Sequence, residues 1–298
     1  PPRQMIGTGF FYVNTDQWRY DGMRPEDISS PLGGDAFRGM TSIDVLAQSA
    51  RSGWMPSYPT FDRSSLELGA QAVASGKDPG DFMAERLSAG DVRFAVEDPD
   101  AEENWPRLLT VWRANLLGSS AKGNEFFLRH LLGTHSAATA KENAEDQRPR
   151  DVRWRDEAPE GKLDLLVSLD YRMTSTGLFS DIVLPAATWY EKHDISSTDM
   201  HPFVHAFTPA INPPWETKSD YDTFRELAER VSELAAGHVE RVTDLVAVPL
   251  QHDTPDEMAV PHGRVQDWRD SDVELLPGRT APKFVLVERD YTQLGARW

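Results

Sequence analysis

The stretch that most constrains this chain is residues 163–194, LDLLVSLDYRMTSTGLFSDIVLPAATWYEKHD. Leu163 to Leu169 is a run rich in Leu and Val, bounded by Gly161 and Asp170. A short apolar run between turn residues predicts a strand buried on both faces, as in the parallel sheet of an α/β protein. Such sheets bind ligands in the crevice outside the carboxyl ends of their strands. That end here carries Asp170, Tyr171, Arg172, Thr174, Ser175 and Thr176, a cluster of hydrogen-bonding side chains. A second strand, Asp181 to Leu184, is expected after one helical turn and is stopped by Pro185. Glu191, Lys192, His193 and Asp194 follow in a loop.

An earlier strand is predicted at Leu108–Trp112, running into RANLLGSSAKG (113–123) and a helix over 124–132. Strand, small-residue turn and helix N-terminus aim backbone N–H groups at one point, which suits a phosphate or diphosphate. On spacing alone the same turn reads more readily as structural. Lys122 precedes Gly123, whereas a Walker motif needs Gly, Lys, then Ser or Thr, so ATP hydrolysis is excluded. Chain order makes the two strands a βαβ step, with their ends side by side. Ser219 is placed to cap a later helix that carries Tyr221, Phe224, Leu227, Val231 and Leu234 on one face and ends near Gly237; it is expected to cover the sheet.

Elsewhere the signals are structural. A helix is predicted over 42–50, capped by Ser42, and another over 64–75, closed by Gly76. A third has Asp78 as cap, Pro79 in its first turn and Gly90 after its end. Trp18, Tyr20, Trp54 and Tyr58 read as packing or as a ligand surface. The acidic run Glu97–Glu103 reads as a solvated loop, and 134–160 as a charged surface insertion. Pro202 between His201 and His205 spoils any helical metal spacing with His193. One more strand is expected at 284–287.

Net charge is −17, which excludes a broad nucleic-acid surface and an anionic membrane face. There are no cysteines, so no disulfide and no thiolate-bound cluster can form within these residues. No apolar run approaches 18 residues, and a soluble cytoplasmic chain is expected.

The order strand, D-x-x-x-T, short helix, S-D-I-V-L-P, W-Y-E-K resembles the molybdopterin oxidoreductase family, and DYRMTSTGLFSDIVLPAATWYEKHDISSTDMHPF is most similar to its respiratory nitrate-reducing members. The similarity continues through GTGFFYVNTDQWRYD, and Trp112-Arg113-Ala114-Asn115 is similar to the family's pterin-contacting turn, with Leu116 where the family has Pro. The resemblance implies an α/β fold: a Rossmann-like three-layer α/β/α domain over 106–238, a helical and irregular part over 1–105, and a connector over 239–298 toward a further domain. The chain would be an internal piece of a longer catalytic subunit.

The implied cofactor is molybdenum held by two molybdopterin guanine dinucleotides, reducing nitrate with electrons from quinol. A 4Fe-4S cluster would lie in sequence upstream of these residues. Implied partners are an iron–sulfur beta subunit and a membrane haem subunit, at the inner face of the cell membrane. Implied cofactor-binding residues are Trp112, Arg113, Asn115, Ser119, Lys122, Asp170, Thr174 and Ser175, with Asp170 at the guanine and Thr174 bracing it; Glu191 is structural, and no residue here is catalytic or a metal ligand. The residues alone also fit a freestanding nucleotide-binding module, a domain that docks the electron-transfer subunit, or, for Asp170, a helix cap just after the strand.

Overall fold

The computed structural model describes residues 18–20, 22, 24–28, 37–54, 57, 59–119, 123–137, 139–198, 200–250, 267–269 and 272–297. Lys122, Tyr58 and residues 7–17 of the sequence motif lie outside that set. The main helices are α1 (Ser42–Arg51), α2 (Ser65–Ser75), α3 (Pro79–Ala89) and α4 (Asp220–Ala235). The strands are β1 (Leu108–Trp112), β2 (Leu165–Asp170), β3 (Ile182–Pro185), β4 (Asp194–Thr198), β5 (His201–Phe207), β6 (Arg241–Val248) and β7 (Lys283–Asp290).

They fall into two compact units that interleave along the chain. The first holds residues 1–106, 122–162 and 242–288; the second holds 107–121, 163–241 and 289–298. The described residues of 139–160 group with the N-terminal helices in the first unit, and β6 and β7 pair, sending Leu245 and Phe284 into its core.

The first unit buries the hydrophobic cluster: Leu68 and Ala72 of α2, Phe82 and Met83 of α3, Phe94, Leu245 and Phe284 among others. Phe61 stands 5.8 Å from Phe94 and 6.3 Å from Phe284, ring to ring. The glycine inside α2 has a packing reason: a Cβ on Gly69 would lie 2.2 Å from the Thr243 carbonyl of β6. Local capping chemistry reads directly. Asp78 accepts from the Gly80 and Asp81 amides, with Pro79 at the first position. The cap of α1 is Thr41 rather than Ser42, because Thr41 and Asp44 form a reciprocal capping box. Trp18 and Trp54 are buried packing residues rather than a ligand surface.

The acidic run 97–103 departs from expectation. Three of its five carboxylates, Glu97, Asp98 and Asp100, are neutralised by bases distant in the chain, while Glu102 and Glu103 are exposed as expected. Asp100, buried, meets Lys162 at 2.6 Å and Arg19 at 3.3 Å. Asp98 takes Arg155, with one contact of 2.9 Å, and Glu97 takes Arg51 at 2.9 Å. The insertion is likewise pinned: Val152 joins the core, and Asn143 bonds the Trp18 and Arg19 carbonyls.

Where a helix over 124–132 was expected, Phe126–Leu131 forms a π-helical turn. It buries His130. Its Nδ1 lies 2.8 Å from the Pro159 carbonyl, which can only accept, so Nε2 accepts from the Tyr20 hydroxyl at 2.7 Å. Burial foremost, with help from Arg129, Arg19 and Lys162, holds the imidazole below its ordinary pKa against the Pro159 bond. Burial, with Glu125 and Glu142, pushes the Tyr20 phenol up to about 12. A folded histidine of lowered pKa stabilises fully above the unfolded value of about 6.5 and loses that contribution as pH falls below it. Unfolding free energy should therefore decline between about pH 7.5 and pH 5, and His130→Gln should flatten that slope in denaturant titrations. An unchanged slope would remove His130 from the acid sensitivity.

The second unit carries a parallel sheet of order β1-β2-β3, with Leu108 opposite Leu165 and Val167 opposite Ile182. β2 is central and buries Leu166 and Leu169. Lys218 bridges beside Ala186 in parallel, so the chain returns along β3 before Ser219 caps α4. The helix does not cover the sheet with the expected face. Its Asp220, Ala228 and Ala235 are buried, Phe224 lies edge-on to Trp112 at 5.3 Å, and Tyr221, Leu227, Val231 and Leu234 are exposed.

Candidate functional site

Register aligns three strand ends: Trp112 beside Leu169, and Asp170 beside Pro185. The chain leaves β1 through Arg113, whose backbone is left-handed (φ 52°), while its N–H still pairs with the Leu169 carbonyl at 2.9 Å. A non-glycine residue so held costs on the order of 1–3 kcal/mol, and what holds it is a buried ionic knot.

The centre of that knot is Asp220, the first residue of α4, only 8% exposed. Trp112 Nε1–H donates to its Oδ1 at 2.9 Å and Arg113 Nε–H at 3.0 Å. Arg113 Nη2 and Lys192 Nζ each reach Oδ2 at 2.6 Å. Lys192, buried, also meets Asp194 at 2.6 Å, and Arg113 donates to the Ala187 carbonyl at 3.2 Å. Burial works against ionisation of Asp220, but the Lys192 and Trp112 bonds and the Arg113 charge outweigh it and hold the carboxyl below its usual range. Lys192 foremost also lowers Asp194.

A second knot joins the turns after β1 and β2. Asn115 Oδ1 accepts from Ser175 Oγ at 2.8 Å, from Thr176 Oγ1 at 3.1 Å and from the Gly118 amide at 3.1 Å. Thr176 Oγ1 in turn accepts from the Leu117 amide at 3.3 Å. A Cβ at Gly118 would lie 2.3 Å from Asn115 Nδ2 and 2.7 Å from Ser175 Oγ, so a larger residue there would displace this hydrogen-bonded pair.

Asp170 closes its own turn, Oδ1 accepting from the Arg172 amide at 3.0 Å; no protein partner of Oδ2 is found among the described residues. Thr174 Oγ1 accepts from Gly177 at 3.0 Å instead of bracing Asp170. Ser119 ends the helical turn Leu116–Ser119. Glu191 accepts from the Thr188 amide at 2.9 Å, a turn-closing role. Among the described residues no cluster of three or more His, Asp or Glu side chains could hold a metal. His201 and His205 are ring neighbours at 5.4 Å along β5, not along a helix.

The structure thus brings Trp112 with Arg113, and Asn115 with Ser175, into two linked clusters at one sheet end. Sequence reading missed Asp220 and Lys192. The available signal was an acid in the first turn of a capped helix, which reads as a dipole partner and not as the acceptor for three donors.

The molybdopterin oxidoreductase family model matches residues 30–230. This chain belongs to the molybdopterin oxidoreductase family. It is 54% identical to the nitrate reductase alpha subunit of Mycobacterium tuberculosis over all 298 residues, which is 24% of that relative. It is 50% identical to the nitrate reductase alpha chain of Bacillus subtilis over 98% of this chain and 24% of that one. It is 47% identical to the respiratory nitrate reductase 2 alpha chain of Escherichia coli over 98% of this chain and 23% of that one. The chain spans about a quarter of the length of these relatives. Membership in the molybdopterin oxidoreductase family implies a molybdenum–molybdopterin cofactor in the whole enzyme. The donor set fits such a group: among the described residues the second carboxylate oxygen of Asp170 has no protein partner, and Asn115 joins the turns after β1 and β2. No helix among the described residues is long and apolar enough to cross a membrane.

Proposed function

We propose that these residues form the part of a respiratory nitrate reductase catalytic subunit that receives one guanine dinucleotide arm of a bis(molybdopterin guanine dinucleotide) cofactor. The observation that carries this reading is the 54% identity, unbroken across the whole chain, to a nitrate reductase alpha subunit. The sheet is read as part of a Rossmann-like three-layer domain, and the exposed flanks of β1 and β3 suit further layers from the rest of the subunit.

Bound there, the molybdenum centre would supply the oxygen-atom chemistry that takes nitrate to nitrite. This chain's residues bind and orient. Asp170 accepts guanine N–H groups through the oxygen that its turn leaves over. Asn115, Ser175 and Thr176 hold the two turns apart at a fixed spacing, with Thr174 and Ser119 ordering their backbones. Trp112 and Arg113, locked on Asp220, fix where β1 ends, and Lys122 is proposed for the diphosphate from its place in the sequence alone. A 4Fe-4S cluster outside these residues, an iron–sulfur beta subunit and a membrane haem subunit at the inner membrane face would supply the electrons.

In the full-length enzyme, Asp170→Ala should weaken cofactor retention by about 1.5–3 kcal/mol, the worth of a charge-assisted hydrogen bond. Asp170→Asn should also fail, since its amide presents a donor to a donor edge. Molybdenum and guanine nucleotide per subunit are the readouts. A turn-closing role alone predicts normal loading in Asp170→Asn, because Asn closes such turns as well as Asp.

A further inference from the structure

Two aromatic side chains flank the turn that Asp170 closes. Tyr171 follows Asp170 directly, and Trp189 meets it ring to ring at 5.8 Å, tilted by 55°. The Arg172 guanidinium lies over Tyr171, 5.0 Å from its ring centre, and Trp189 stays half exposed. The Ala186 amide donates to the Asp170 carbonyl at 3.0 Å, so Trp189 stands three residues beyond a bond to Asp170 itself. The turn that carries Trp189 is firmly held. The Glu191 amide donates to the Thr188 carbonyl at 3.0 Å, and the Glu191 carboxylate accepts from the Thr188 amide at 2.9 Å. Between them the Tyr190 carbonyl accepts from the amides of Ala210, at 2.8 Å, and Ile211, at 3.1 Å. These bonds fix an indole partly in solvent, and so order a contact surface before anything binds to it.

We infer that Trp189 is the stacking surface for the guanine base whose edge Asp170 receives, and that Glu191 is the positioning residue that fixes its turn. The inference rests on the guanine-arm reading above and adds to it the face of the base. A planar ring with donors along one edge needs two things from a protein, an acceptor in its plane and a flat apolar surface beside it. Among the described residues the second oxygen of Asp170 is free to be the first, and the half-exposed indole next to Tyr171 supplies the second. Every base has a face that stacks on an aromatic ring, so the edge discriminates among them. Guanine presents adjacent N–H donors that match a carboxylate, whereas adenine presents an acceptor beside its donor. The W-Y-E-K motif thereby divides its work. Trp189 touches the base, Glu191 closes the turn, and Lys192 ties the following residues to Asp220 at 2.6 Å.

The test uses the full-length enzyme, with guanine nucleotide retained per subunit and the reactivity of Trp189 as readouts. Trp189→Leu should release the nucleotide roughly 5- to 150-fold more readily, the worth of one base–aromatic stack. Trp189→Phe, which keeps a ring, should retain most of it. Glu191→Ala should fall between them, since the ring remains but its turn is loosened. Tyr190→Leu, at the other exposed aromatic of the turn, should load normally. In the wild type, N-bromosuccinimide with peptide mapping should oxidise Trp189 more slowly in loaded enzyme than in enzyme made without the cofactor. A role confined to the shape of the turn leaves that rate unmoved. Equal oxidation rates would overturn the inference, and so would a loss in Tyr190→Leu as deep as in Trp189→Leu. Normal loading of Trp189→Leu beside lost loading of Asp170→Ala would overturn the stacking alone. Normal loading of both would overturn the guanine-arm reading together with it.

Discussion

Arg51→Ala should leave the first unit largely unfolded. Its guanidinium is fully buried at the end of α1 and is the shared partner of three carboxylates. Nη1 donates to Glu97 at 2.9 Å, Nη2 to Asp151 at 2.9 Å, and Nε to Asp267 at 2.9 Å. Burial pulls its pKa down, but the Asp267 bond and the surrounding carboxylates hold it above the ordinary arginine range. Truncation removes the cation common to all three anions, and leaves Glu97 to Arg269 and Asp151 to Arg150. Breaking a buried pair from one side costs about 3–5 kcal/mol, a large part of a typical domain stability of about 5–15 kcal/mol. Arg51→Lys keeps the charge but cannot reach three carboxylates from one point, and should fall between. Denaturant midpoints with near-ultraviolet circular dichroism measure both. A midpoint for Arg51→Ala within a few tenths of a kcal/mol of wild type would mean that solvent screens the cage.

In the second unit the comparable result is expected from Asp220→Ala. Lys192 would keep only Asp194, Arg113 would keep the Ala187 carbonyl, and the Trp112 indole N–H would lose its acceptor. The expected loss is again about 3–5 kcal/mol, felt as faster proteolysis and hydrogen exchange at the β1 end and the α4 start. Asp220→Asn preserves shape and one acceptor, and should lose about 1.5–3 kcal/mol, the worth of hydrogen bonds to a charged group. The pH dependence separates charge from shape. Because the folded Asp220 pKa is lowered, its contribution is complete above the unfolded value of about 4 and is lost as pH falls through the folded one. The Asn variant should lack that acid slope. If both variants melt alike at every pH, the knot holds by shape alone.

Short-range chemistry was legible in the sequence. The cap, first-position Pro and terminal Gly of α3 lie within a few residues of one another, and so does the Ser219 cap. The apolar runs of β1 and β2 needed no partner to be recognised as strands, and the composite motif around them pointed to the family. What escaped depended on partners far along the chain. Glu97 and Asp100 read as solvated because the bases that bury them, Arg51 and Arg19, stand 46 and 81 residues away. Asp220 meets Arg113 across 107 residues. The apolar stripe of α4 was recognised, but which side of the helix would be buried depended on Phe224 meeting Trp112, and periodicity says nothing about that. The hydrophobic cluster, too, sits in the first unit and not around the strand that dominates the sequence pattern, because long apolar runs mark sheet interiors while cores assemble from scattered residues such as Phe61, Leu87 and Phe284.

The cage around Arg51 also sets a timetable. Its third carboxylate, Asp267, is 216 residues downstream, and a ribosome adding about 5–20 residues per second reaches it roughly 10–40 s after Arg51. Through that interval α1 has emerged but its cation is incompletely paired; β6 is made only near its end, and β7 after it. The nascent N-terminal helices must therefore wait, partly assembled, while the whole β1–β5 region is made. The strand ends at the proposed nucleotide site are thus synthesised before the first unit can close, although that unit holds the N-terminal end of the sequence.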